Sequence, residues 1–150
     1  MPRRTPLAAL GIIVGAAVLA GCSPAAETHD EADPAVVEQI GETDLHRITL
    51  TERAAERLAI QTTPAEMAAI DGSSGQRLVI PYSAVFYASD GATYAYINPE
   101  ALVFERTPIE VDYIADDLAV LVDGDEGMTV VSVGVVELFG AESGLGAGDH

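Results

Sequence analysis

The chain of 150 residues has no lysine, and its seven basic residues, all arginine, face 24 aspartates and glutamates, for a formal net charge of −17. Proteins grip phosphate backbones with clustered Lys and Arg, so nucleic acid is not an expected partner. The one cysteine, Cys22, leaves no possibility of a disulfide within the chain, and stability must come from packing. Histidine is as sparse: His29, His46 and His150 are scattered, with no i, i+4 pair and no cysteine partner, which argues against a metal site. The N-terminal apolar run, Leu7 to Leu19, is shorter than the ~20 residues an α-helix needs to cross the hydrocarbon core. A permanent transmembrane anchor is therefore not expected.

What the N-terminus does contain is "MPRRTPLAALGIIVGAAVLAGC". Arg3 and Arg4 form a basic n-region, an apolar stretch follows, and small residues close it, which is the layout of an export signal. The ending Leu19-Ala20-Gly21-Cys22 resembles the lipobox of bacterial lipoproteins. That resemblance implies a signal peptide over 1–21, lipidation of Cys22, and a protein tethered to the extracytoplasmic face of the cell membrane. Two acyl chains hold such a protein well, since each buried CH₂ adds ~0.8 kcal/mol. All the acidic residues follow the signal, and an exported part this acidic stays soluble and does not lie flat on anionic lipid.

Residues 22–44 are rich in Ala, Glu, Asp and Pro without a sustained period, as in a flexible acidic tether. Within it, Val36, Val37 and Ile40 are expected to pack weakly on the domain or to form one helical turn. A β-rich domain is expected over 45–139. His46 to Leu50 alternates as a strand, and Thr49 with Glu52 resembles a capping box opening the helix "TERAAERL", with Ala54, Ala55 and Leu58 inward. After a polar turn at Asp71 to Gly75 come short β-type runs punctuated by Asp90-Gly91, Asn98-Pro99, Pro108 and Asp123-Gly124. Ile109, Val111 and Tyr113 share one face, opposite Glu110 and Asp112. The fold class predicted is mainly β, a small barrel or sandwich with one or two short helices. A short apolar element, Val135 to Phe139, precedes a glycine-rich tail over 140–150 that is expected to be disordered.

The middle of the chain resembles a particular family. "LVIPYSAVFYASDGATYAYI", then "FERTPIEV" and "GMTVVSVG", are similar to the membrane-proximal β-domain of the periplasmic adaptor subunits of tripartite efflux pumps, the membrane fusion proteins. Ile80-Pro81, Ala84-Val85, Asp90-Gly91, Tyr94 to Ile97, Phe104 to Arg106 and Val130 to Gly134 occupy the matching places. A full adaptor carries a long insertion, with a lipoyl-like domain and a helical hairpin, where this chain has only "MAAIDGSSGQR". Asp123-Gly124-Asp125-Glu126 also replaces the usual Ser-Gly-Leu. The resemblance, over residues 47 to 138, implies a membrane-proximal module without the part that bridges two membranes.

Searching for chemistry returns little. Met67 and Met128 are read as core filler. The "DGDEG" turn, with Asp116 and Asp117 before it, lacks the twelve-residue loop and distal Glu of a calcium-binding EF-hand. Ser73, Ser74 and Ser83 have no motif that would activate a nucleophile. No cofactor is expected, and the chain is not expected to be an enzyme. The expected function is an accessory, adaptor-like binding module docking on an efflux pump or another integral membrane transporter, with Tyr87, Tyr94, Tyr96, Asp116 and Asp117 as its partner surface. A lipoprotein binding a cation or small ligand through acidic loops, and a structural envelope lipoprotein, are the alternatives.

Overall fold

A computed structural model describes residues 33–89 and 91–144. Cys22 and the signal, residues 22–32 of the expected tether with His29, Asp90, and the end of the tail with His150 lie outside the described residues.

In chain order the elements are β1 (Ala35–Gln39), β2 (His46–Leu50), α1 (Glu52–Arg57), β3 (Gln61–Pro64), β4 (Glu66–Ala69) and β5 (Gln76–Pro81). A 3-10 turn at Tyr82–Ala84 leads to β6 (Phe86–Tyr87), β7 (Thr93–Glu100), β8 (Val103–Pro108), β9 (Val111–Ala115), β10 (Leu118–Leu121), β11 (Thr129–Val133) and α2 (Val135–Glu142). Among the described residues the strands form two open antiparallel sheets and no closed barrel, so the sandwich alternative describes the fold. The larger sheet runs β1-β2-β8-β7-β11-β3, with β6 also on β7, and the smaller runs β4-β5-β10-β9. The chain crosses between sheets at Ala65, between β3 and β4. There Ala65 is buried and both its N–H and its C=O bond to the segment that leads into β11, to Met128 O at 2.7 Å and Gly127 N at 2.9 Å.

Successive side chains of a strand point to opposite faces, and the central strands of the larger sheet bury both. Ala95 of β7 and Val130 of β11 pack with Leu78, Ile80, Ala119 and Leu121 of the smaller sheet. Their neighbours Tyr96 and Val131 pack on the other face with Ile48, Leu50 and Phe104, beneath Ala54 of α1 and Val135 and Leu138 of α2. The result is three layers: two helices, the larger sheet, the smaller sheet.

Several boundaries differ from those read in the sequence. Residues 35–39 are not tether: β1 pairs along its whole length with β2, from Ala35 opposite Leu50 to Gln39 opposite His46. The turn between them closes with Ile40 N donating to Leu45 O at 2.8 Å, and pairing satisfies a backbone that the local composition describes as solvated. The cap of α1 is Thr51, whose hydroxyl accepts from Ala54 N, and not Thr49, which is committed to the β2 ladder. Ala54, Ala55 and Leu58 do face inward while Glu52, Arg53, Glu56 and Arg57 are exposed, as the helical period requires. The tail begins later than residue 140, because α2 continues to Glu142 and its carboxylate is held from the sheet.

Gly134 joins β11 to α2 at φ 93°, and a Cβ there would stand 2.3 Å from Ile60 Cδ1 and 3.4 Å from Ile60 Cα. Only glycine allows this backbone turn and this approach together. The close of the "VVSVG" motif is thus the hinge that lays α2 back over the larger sheet.

Candidate functional site

Tyr87 lies on β6, a strand of two residues at the margin of the larger sheet, and is 56% exposed. The side chain of Tyr82 beside it, followed by desolvation, raises the Tyr87 phenol above its ordinary range. Tyr82 stands at the start of the 3-10 turn and is exposed as well. The backbone N–H of Tyr82 donates to Asp117 O at 2.8 Å, which brings the turn between β9 and β10 alongside. Asp116 and Asp117 form that turn, both exposed, with Asp116 in the left-handed region at φ 53°. Tyr87, Asp116 and Asp117 are therefore neighbours of one feature, Tyr82.

Three further exposed apolar residues, which sequence reasoning missed, lie on neighbouring elements. Ser83 donates from Oγ to Ser132 O at 2.9 Å, placing the 3-10 turn beside Val133 at the end of β11. The Phe86 ring lies 5.9 Å from Phe139 of α2, and Val136 is exposed one turn before Phe139. The signal was present in "VVELF": Val135 and Leu138 share the buried face of the helix, so Val136 and Phe139, at the same spacing, share the other.

Tyr96 does not belong to this surface. It is fully buried, because positions 94 and 96 of β7 both point to the face covered by α2. Its ring stacks 5.0 Å from Phe86 and its hydroxyl donates to Glu142 Oε2 at 2.5 Å. Tyr94 is half-buried, stacked 5.8 Å from Phe86, with the Arg106 guanidinium 5.1 Å over its ring.

The residues around Glu142 form the most concentrated polar cluster among the described residues. The carboxylate, 4% exposed although its backbone ends a helix, meets Arg106 Nη1 at 2.9 Å and His46 Nδ1 at 2.9 Å besides the Tyr96 hydroxyl. Arg106 Nη2 also donates to Asp44 O, while its Nε is buried without a partner. Burial, then the hydrogen bond to Glu142, then that carboxylate's charge push the Tyr96 phenol far above its usual range, against the opposing pull of Arg106. Tyr96 is consequently a fixed neutral donor. A carboxylate already engaged by three side chains is not a free base, and what this arrangement does is pin the end of α2 to β2, β7 and β8.

Elsewhere, Arg77 pairs with Asp112 at 2.8 Å and lies 5.9 Å over the Tyr113 ring, and Tyr113 is exposed where the alternation of β9 would bury it. Met128 packs in the core, whereas Met67 is exposed on β4 and fills nothing. Among the described residues no three His, Cys, Asp or Glu side chains converge as a metal site, and no helix is long and apolar enough to cross a membrane.

No protein-family model matches the chain, and neither a curated protein nor a solved structure matches it significantly. The likeness to efflux adaptors therefore rests on the short motifs themselves.

Proposed function

We propose that the protein is a lipid-anchored, extracytoplasmic binding module that docks on an integral membrane transporter as an adaptor-like accessory. The observations that carry this reading are the exposed Tyr82 and Tyr87 beside the acidic turn of Asp116 and Asp117, together with the exposed Val133, Val136 and Phe139 at the end of β11 and on α2. Tyrosine and phenylalanine supply large contact area at small entropic cost, and such rings sit at the centres of protein interfaces. The acidic rim adds orientation, since charges around an apolar centre set register and encounter rate more than affinity. Acylation at Cys22 confines the module to a thin layer beside the bilayer, where effective concentration populates even a weak contact. Net charge of −17 disfavours anionic lipid as the docking surface itself and leaves a protein face.

The test is crosslinking in cells followed by affinity recovery from solubilised membranes, with Cys22→Ala and Tyr87→Ala/Phe139→Ala run alongside. One transporter subunit is expected with the unaltered protein, with recovery reduced about tenfold or more in each variant, since interface aromatics of this kind contribute ~2 kcal/mol or more. Recovery of no transporter overturns the reading, as does recovery that neither variant alters.

A further inference from the structure

A groove of about 670 Å³ opens on the helical layer between α1, α2 and the start of β1. Its volume falls within the ~300–1,000 Å³ of small-molecule sites. The floor is Leu50 and Ala54, both nearly buried, and one wall is Leu58. The opposite wall is Gly140 and Ala141, whose small size leaves the space unfilled. Charge is confined to the rim, in Asp33, Glu137 and Arg57.

We infer that this groove binds the alkyl tail of an amphipathic cation, with the cationic head held at the rim by Asp33 and Glu137. Three observations select this occupant. An extended peptide would bring N–H and C=O groups over a floor of Leu50 and Ala54, which have no side-chain donor or acceptor to meet them, whereas an alkyl chain needs none. Two carboxylates outnumber the single rim cation, and Arg57 makes no ion pair with either of them, so their charge is not spent internally. The last turns of both helices, through Arg57 of α1 and Gly140 and Ala141 of α2, lie at the groove, where helix C-termini add partial negative charge. The field of a chain with net charge −17 acts in the same direction and concentrates cations near the surface.

Titration calorimetry of the full chain with alkyltrimethylammonium ions, kept below micelle formation, tests the inference. One site is expected, with affinity rising roughly fourfold per added methylene between decyl and dodecyl. Dodecanoate, with the same tail and the opposite charge, is expected to bind at least tenfold more weakly than dodecyltrimethylammonium. Gly140→Leu fills the groove, and it is a mild substitution because a Cβ there meets nothing within 4 Å and leucine favours helix over glycine. It is expected to weaken dodecyltrimethylammonium binding at least tenfold while circular dichroism remains unchanged. Glu137→Gln, on the exposed rim, is expected to weaken it about two- to fivefold and to reduce its salt dependence. Equal or tighter binding of dodecanoate overturns the inference. So does unaltered affinity in both Gly140→Leu and Glu137→Gln, which would place any binding elsewhere on the chain.

Discussion

The two faces of the larger sheet are built differently. Toward the smaller sheet the contact is aliphatic, with Ala95 and Val130 set against Leu78, Ile80, Ala119 and Leu121. Toward the helices it is aromatic and partly ionic: Tyr96 and Phe104 lie beneath α2, and the end of that helix is tied down by Glu142. The first face derives its strength from area removed from water, which depends little on geometry. The second depends on one carboxylate meeting three donors from β2, β7 and β8. Sheet against sheet should therefore behave as a cooperative core, and the helical layer as an element that opens on its own.

The largest expected effect comes from cutting the aliphatic face. Ile80 is fully buried, and Ile80→Ala should cost about 3–4 kcal/mol in urea unfolding and lower hydrogen-exchange protection in both sheets together. Glu142→Ala should cost somewhat less, about 2–3 kcal/mol, because it strands a mostly buried Arg106 and the Tyr96 hydroxyl but leaves the sheets packed. Its loss of protection should be concentrated in α2. Protection lost evenly across the sheets in Glu142→Ala would abolish the distinction between the faces.

Tyr96→Phe is a finer cut, removing one hydroxyl at constant ring packing for about 1 kcal/mol near neutral pH. It also has a pH signature. The folded state holds the Tyr96 phenol protonated far above its ordinary value near 10, so between those values the unfolded chain carries fewer protons than the folded one. The stability that this tyrosine contributes is thus complete below about pH 10 and declines as pH rises beyond it. Melting temperatures taken from pH 9 to pH 11 should fall more steeply for the unaltered protein than for Tyr96→Phe. Parallel slopes would mean that Tyr96 titrates as freely folded as unfolded, and that the helical face is less closed than its geometry indicates.

What the sequence made legible follows the same division. The short β-type runs between turn residues, the alternation from Ile109 to Tyr113 and the apolar spacing in "ERAAERL" are local signals, and they suffice to indicate a mainly β fold with a short helix. Glu142 was not legible, because its partners Arg106, Tyr96 and His46 are far from it in sequence, the last by 96 residues, and a glycine-rich setting looks like a tail. Tyr96 was misplaced for a related reason: the pattern shows that Tyr94 and Tyr96 share a face but not that a helix from the far end of the chain covers half of it. Strand β1 was masked by composition, since Pro34 and the acidic residues around Val36 and Val37 read as solvated chain until β2 is placed beside them. Of the expected partner-surface residues, Tyr87 and the Asp116-Asp117 turn are exposed, because turns and margins are exposed whatever packs elsewhere. Val136 and Phe139 required knowing which side of α2 meets the sheet.

The smallest expected effect concerns how α1 ends at the edge of the helical layer. Ile60 N donates to Ala55 O at 3.2 Å and Ala59 N to Glu56 O at 3.1 Å, the paired bonds of a Schellman termination. The residue that turns the chain there is Ala59, at φ 51°, where a Cβ is strained and glycine is the usual occupant. Ala59→Gly should stabilise the protein by about 0.5–1 kcal/mol, the relief of the left-handed alanine being partly offset by greater freedom in the unfolded chain. Because α1 caps only the helical face, the gain should appear as added hydrogen-exchange protection in α1, with the sheet amides rising no more than the global stability does. A loss of stability in this variant would show that the alanine methyl contributes packing at the helix end that outweighs its backbone strain.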